Sequence, residues 1–198
     1  MNWLRFIQVS LIAWVLMLTV AHGAPTIVID AGHGGHDRGG IPRQRYSEKV
    51  YALDVAERLN ARLKAAGFKT VMTRTGDYFV TLGDRVRMGN RQRNSVFVSI
   101  HFNADPRGTG FGIETYYYSR SASRLASRIH AQVVRDTGAT SRFVRRRGFY
   151  VLRRTSAPAV LCELGFLTNK TEGPMIAGAS AYRQKLADAI ARAIDAHY

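Results

Sequence analysis

The sequence predicts an α/β fold: a single domain with a mostly parallel twisted sheet of about six strands and helices on both faces. Three observations carry this. Short apolar runs rich in β-branched residues alternate with longer stretches of helical period. The 198 residues suffice for one domain and a short extra segment. At 46% hydrophobic and 22% charged the chain has a core to build, which excludes a disordered tail or a multi-span membrane protein.

The first strand is expected over residues 26–30 (TIVID), followed by a loop, 31–40, in which five of ten residues are glycine. A helix opens near Ser47, with Val50, Leu53, Ala56, Leu59 and Leu63 as its apolar face and Gly67 as its stop. Residues 68–73 form a second strand, 81–92 a second helix, and 95–101 (SVFVSIH) a third strand. A strand over 112–118 (GIETYYY) is expected near the sheet edge. Helix follows over 122–136, strands over 149–152 and 159–163, and a closing alanine-rich helix over 181–197. No internal repeat or linker divides this part.

The first residues read differently. Arg5 is the only charge before Asp30, residues 11–20 (LIAWVLMLTV) are almost wholly apolar, and Ala21, Gly23 and Ala24 are small. That pattern predicts a signal peptide over 1–23 and a catalytic domain over 24–198, exported to the periplasm or to the cell wall and exterior. The competing reading, a retained anchor, is disfavoured because the apolar run falls short of the ~20 residues a spanning helix needs. No membrane span is expected after its removal. The formal charge of +15, carried by 29 basic residues of which 24 are arginine, implies attraction to polyanions. Export argues against nucleic acid as the partner. The single cysteine, Cys162, rules out an internal disulfide or a Cys-x-x-Cys metal site.

Four polar residues fall where parallel sheets place functional groups: His33 after the first strand, Glu48 opening the first helix, His101 ending the third strand and Glu163 ending the last. Two histidines and one carboxylate are a ligand set for catalytic zinc, leaving a fourth position for water, with a second carboxylate as base. Each residue also has a plainer reading. His33 could occupy a turn or a phosphate-cradling loop, and Glu48 could simply favour the positive end of a helix. Glu163 is harder to set aside, since a carboxylate behind Val160, Leu161 and Cys162 is costly to bury unpaired. No Gly-x-Ser-x-Gly elbow and no His-Glu-x-x-His helix is present. Strand alternation turns Cys162 away from Glu163, favouring a buried thiol over a nucleophile.

Together the segments IVIDAGHGG (27–35), SEK (47–49), Thr73 and Arg74 with Asp77, Leu82 with Arg85, SIHFNA (99–104), GIETYY (112–117) and PAVLCELGFLTN (158–169) resemble the zinc-dependent N-acetylmuramoyl-L-alanine amidases of the type-3 catalytic family. The resemblance implies that His33, Glu48 and His101 bind Zn2+, that Glu163 is the catalytic carboxylate, and that peptidoglycan is the partner. The reaction it implies is hydrolysis of the amide between N-acetylmuramic acid and L-alanine of the stem peptide. Asn103 is a candidate substrate contact at the developing oxyanion. Ala31 stands where the family usually has proline, Phe102 where it has a small residue, and Cys162 where it has an aliphatic one. Some members carry a blocking helical insertion after the strand matching residues 113–118. Here the next helix follows at once, so no obligatory activator is expected. The alternatives are another exported zinc peptidase and a non-catalytic cationic wall-binding domain.

Overall fold

Ile27, Val28 and Ile29 are all fully buried, as are Phe97, Val98 and Ile100, so the strands that carry them are covered on both faces. A computed structural model describes residues 23–198 and places them in β1 (Thr26–Ala31), α1 (Glu48–Ala65), β2 (Thr70–Met72), α2 (Leu82–Asn90), β3 (Ser95–Asn103) and β4 (Ile113–Tyr117). These are followed by α3 (Arg120–Thr137), β5 (Ser141–Arg146), α4 (Tyr150–Arg154), β6 (Ala159–Phe166), α5 (Glu172–Gly178) and α6 (Ser180–Asp195). The expected signal segment lies outside the described residues, apart from Gly23.

The sheet has six strands in the order β2-β1-β3-β6-β4-β5. All neighbours are parallel except β4 and β6. Helices cover both faces. On one side α1, α3 and α6 pack over Ile27, Ile29, Val98, Ile100 and Cys162. On the other, α2 and α4 bring Val86, Val151 and Leu152 onto Val28, Phe97 and Leu161. Among the described residues no helix is long and apolar enough to cross a membrane.

Helix α1 buries Ala52, Val55, Ala56, Leu59 and Leu63. Val50, assigned to the apolar face from the sequence, is 53% exposed, because the stripe facing the sheet begins two residues later. The helix ends in a Schellman motif: Gly67, at φ 88°, donates to Lys64 O and Phe68 to Leu63 O, each at 3.0 Å. Phe68 is thereby spent on the cap, and β2 shortens to three residues.

Two strand expectations fail although the count of six holds. Residues 149–152 are not a strand: they enter α4, where Val151 and Leu152 are buried while Phe149 and Tyr150 stay exposed. The sixth strand is β5, which reads in sequence as an arginine run. Because β5 pairs with β4, the strand at 113–117 is internal and not at the edge.

Candidate metal and catalytic site

The carboxyl ends of β1, β3 and β6 converge with the start of α1, and there the four sequence candidates meet. Ligand atoms of His33, Glu48 and His101 all lie within 4.8 Å of one another. Glu48 is the hinge: its Oε2 is 3.0 Å from His33 Nε2, and its Oε1 is 2.8 Å from His101 Nδ1. That same Oε1 accepts the backbone N–H of Phe102 at 3.0 Å. Glu48 therefore turns back from its helix into the site; the N-cap Ser47 makes no side-chain cap, and Lys49 N–H donates to Arg38 O at 3.2 Å instead. Burial pushes its carboxyl up, but hydrogen bonds and charge from His101 and His33 outweigh that and bring it to about 2.

Glycine shapes this cluster by close approach. A Cβ on Gly32 would stand 2.4 Å from the His101 ring, and one on Gly39 would stand 2.5 Å from Glu48 Oε2. The loop also holds His33 itself at φ 59°, a left-handed conformation that a non-glycine residue adopts at a cost of ~1–3 kcal/mol. Two buried arginines enforce it. Arg85 donates to His33 O at 2.6 Å, to Ala31 O at 2.6 Å and to Asp30 Oδ1 at 2.7 Å. Arg74 donates to Gly32 O and Lys49 O, both at 2.7 Å, tying the loop to the first turn of α1. Asp30 is in turn held by Thr73 and Ser99. Opposing burial, Arg85 and Ser99 keep its carboxyl below the usual range.

Asp37, which the sequence reading passed over, accepts from or shares a proton with His33 Nδ1 at 2.8 Å. Burial lowers the His33 imidazole, but contacts first with Glu48 and then with Asp37 raise it on balance. An outer carboxylate of this kind fixes ring orientation and makes the imidazole a stronger ligand. Asp37→Ala is expected to weaken zinc affinity about 10- to 100-fold with little loss of fold, read by competition against a chromogenic chelator. Unchanged affinity would remove Asp37 from the site. The clue in sequence was a His-x-x-x-Asp spacing inside the glycine loop.

Glu163 is the Cα partner of His101 across β3 and β6, beside an irregularity in the pairing between His101 and Asn103. It lines the same cleft, a cavity of about 660 Å³ that also contains His33, Glu48, His101 and Asn103. Its Oε2 is buried with no hydrogen-bond partner. Burial, followed by the charges of Glu48 and Glu114, raises its carboxyl well above the ordinary range. Cys162, next in the chain, points into the opposite core, where burial pushes its thiol up to about 12. A nucleophilic role for it has no geometric basis.

Asn103 also lines the cleft. Its Nδ2 donates to Glu114 Oε2 at 2.9 Å and its Oδ1 accepts from Ala104 N at 2.8 Å, so one of its two amide protons is already engaged. Glu114 is a second feature the sequence reading did not single out. This buried carboxylate, paired across β4 and β6 with Glu163, is satisfied by Asn103, Tyr116 and Arg142.

The donor chemistry suits zinc: two imidazoles and one carboxylate converge, a set that in catalytic sites leaves a fourth position for water, and Glu163, whose Oε2 is buried without a partner among the described residues, lines the same cavity. The N-acetylmuramoyl-L-alanine amidase family matches residues 27–196. YqiI of Bacillus subtilis is 39% identical over 87% of this chain and 84% of its own length. The N-acetylmuramoyl-L-alanine amidase LytC of the same organism is 36% identical over 83% of this chain, which spans only 34% of LytC. Among solved structures, the N-acetylmuramoyl-L-alanine amidase AmiC2 of Nostoc punctiforme superposes with a TM-score of 0.83 at 37% identity, covering 88% of this chain and 97% of that one.

Proposed function

Because the chain belongs to the N-acetylmuramoyl-L-alanine amidase family of peptidoglycan hydrolases, we propose that it cleaves the amide between N-acetylmuramic acid and L-alanine at a zinc ion held by His33, Glu48 and His101, with Glu163 as the proton carrier. The observation that supports this most is the convergence of the three ligand residues in one cleft with a buried, unpartnered Glu163 oxygen.

Held by His33, Glu48 and His101, zinc would supply Lewis acidity to the scissile carbonyl and a water acidified toward about 7. Glu163 takes the proton from that water and then returns it to the departing amine of L-alanine. One carboxylate serves both steps, and general acid–base assistance of this kind is worth about 10²- to 10⁴-fold. Its carboxyl is raised by burial and by neighbouring Glu48 and Glu114, and a nearby cation would oppose that shift and favour the ionised base. Arg74 and Arg85 hold the His33 loop in place before substrate arrives, so the ligand geometry costs little to organise on binding. The free amide proton of Asn103 is the candidate donor to the oxyanion.

Export to the periplasm or cell wall follows from this reading together with the N-terminal sequence pattern, and residues 24–198 then constitute the catalytic domain. Only two residues separate β4 from α3, so no helix is inserted between them to cover the cleft. The purified chain is therefore expected to release peptides from muramoyl-peptides without any added protein, and to leave sugar-free peptides of the same sequence intact. Cleavage of the sugar-free peptides would instead identify a zinc peptidase. Binding to sacculi without cleavage would identify a silent wall-binding domain.

A further inference from the structure

Six arginines and no carboxylate lie between Asp136 and Glu163. Arg142, Arg145 and Arg146 fall on β5, Arg147 directly after it, and Arg153 and Arg154 on α4, whose first residues line the catalytic cleft. Arg142 pairs with Glu114. Arg145, Arg146, Arg147, Arg153 and Arg154 are exposed and have no carboxylate partner among the described residues. Exposed guanidinium groups without carboxylate partners give this region a positive potential that attracts anions.

Arg146 also lies over an aromatic ring, that of Tyr118, but its Nε is engaged by Tyr118 O; what sets Arg145 apart is an aromatic path that joins it to the cleft. On the site-facing side of the sheet, Glu163 is paired with Glu114 and Glu114 with Phe143, while Leu161 is paired with Tyr116 and Tyr116 with Arg145. Arg145 therefore sits two strands across and one two-residue step from Glu163, about 12 Å between Cα atoms at standard strand spacing. Its guanidinium lies 3.8 Å from the centre of the Phe143 ring. Tyr116 meets Phe143 edge-on at 5.7 Å and Phe149 at 5.1 Å. Phe149, Tyr150 and Leu161 line the catalytic cleft, and Phe149 and Tyr150 are more than two-fifths exposed. An aromatic floor thus runs from the cleft to a stacked guanidinium whose N–H groups are free. Stacking holds the planar fork in a fixed orientation and lowers the cost of binding a carboxylate in two-point fashion.

We propose that this floor is the stem-peptide subsite and that Arg145 binds a free carboxylate of the peptide one or two residues beyond the scissile amide, so that acidic stem peptides are preferred over their carboxamide counterparts. This rests on the amidase reading above for the identity of the peptide. The spacing is suitable, since two extended residues span about 7 Å and the arginine side chain supplies the remainder.

The test uses two muramoyl-peptides that differ only in a carboxylate or carboxamide at that position, with the zinc-loaded full chain and its Arg145→Gln and Arg145→Lys variants. The unaltered chain is expected to show a KM about tenfold lower for the acid. Arg145→Gln should erase that difference, with the loss falling on KM, and Arg145→Lys should restore part of it. A parallel calorimetric titration with the released acidic peptide and its amide reads the same discrimination without turnover. Equal handling of acid and amide by the unaltered chain, or an Arg145→Gln effect equal on both, would overturn the proposal. So would an effect seen only in competition by inorganic polyphosphate, which would reassign the arginines to a wall polymer. Selective binding of the acidic peptide without cleavage of either muramoyl-peptide would count against the amidase reading and leave this subsite standing.

Discussion

Glu163→Ala is expected to lower kcat on muramoyl-peptides by about three to four orders of magnitude while the protein still binds one zinc ion. The split follows from position. Glu163 is on β6, faces the cavity from across the β3–β6 pairing, and is not among the three residues whose ligand atoms cluster. Removing it takes away the proton carrier and leaves the ligand set untouched. The substitution also removes a buried carboxylate that has an unpartnered oxygen, so the folded apo protein should lose no stability from it. Metal content by mass spectrometry beside steady-state kinetics settles the point. Retention of most activity would eliminate the base role, and loss of zinc would make Glu163 a ligand.

His33→Ala and His101→Ala should instead lose metal and activity together. Two remaining ligands do not hold zinc against the cellular pool, and a ligand deletion is expected to cost more than the roughly 10- to 100-fold assigned to an outer partner such as Asp37. Thermal melting supplies an independent reading: zinc at about 1,000 times its dissociation constant stabilises the unaltered protein by about 4 kcal/mol, and should leave the melting temperature of either variant unmoved. The two histidines should differ in one respect. His33 is held at φ 59° by Arg85 and Arg74, a left-handed conformation that alanine tolerates less well than histidine, whereas His101 lies in extended strand backbone. A melting temperature of apo His33→Ala below that of apo His101→Ala is the corresponding expectation.

Which features were readable from sequence follows from how local their causes are. β1, β3 and β6 are buried on both faces, and TIVID, SVFVSIH and AVLCE advertise this as unbroken apolar runs. β5 is an edge strand whose exposed residues are Ser141 and three arginines, so SRFVRR carries no such run. Conversely, Phe149, Tyr150, Val151 and Leu152 are four strand-favouring residues in a row, too few to display a helical period. Only the packing of Val151 and Leu152 on Phe97 and Leu161 distinguishes the helical turn they form.

The site shows the same division. His101 lies near the carboxyl end of β3, His33 just past β1 and Glu48 at a helix start, positions a sequence can mark, whereas β6 does not end at Glu163 as expected but runs on to Phe166. Glu114 and the Arg74–Arg85 clamp owe their roles to contacts that close only in three dimensions, Arg74 and Arg85 across more than 40 residues of chain, whereas Asp37 meets His33 four residues away and its spacing is legible. The role of Gly32 is also invisible locally, because the ring it makes room for is His101.

The most direct test is diffraction from zinc-soaked crystals recorded on either side of the zinc absorption edge. One anomalous peak bonded by His33, Glu48 and His101, with a Glu163 oxygen facing its remaining coordination position, is the expected result. A peak elsewhere, or a zinc ion that takes Glu163 as a ligand in place of one of the three, would contradict it.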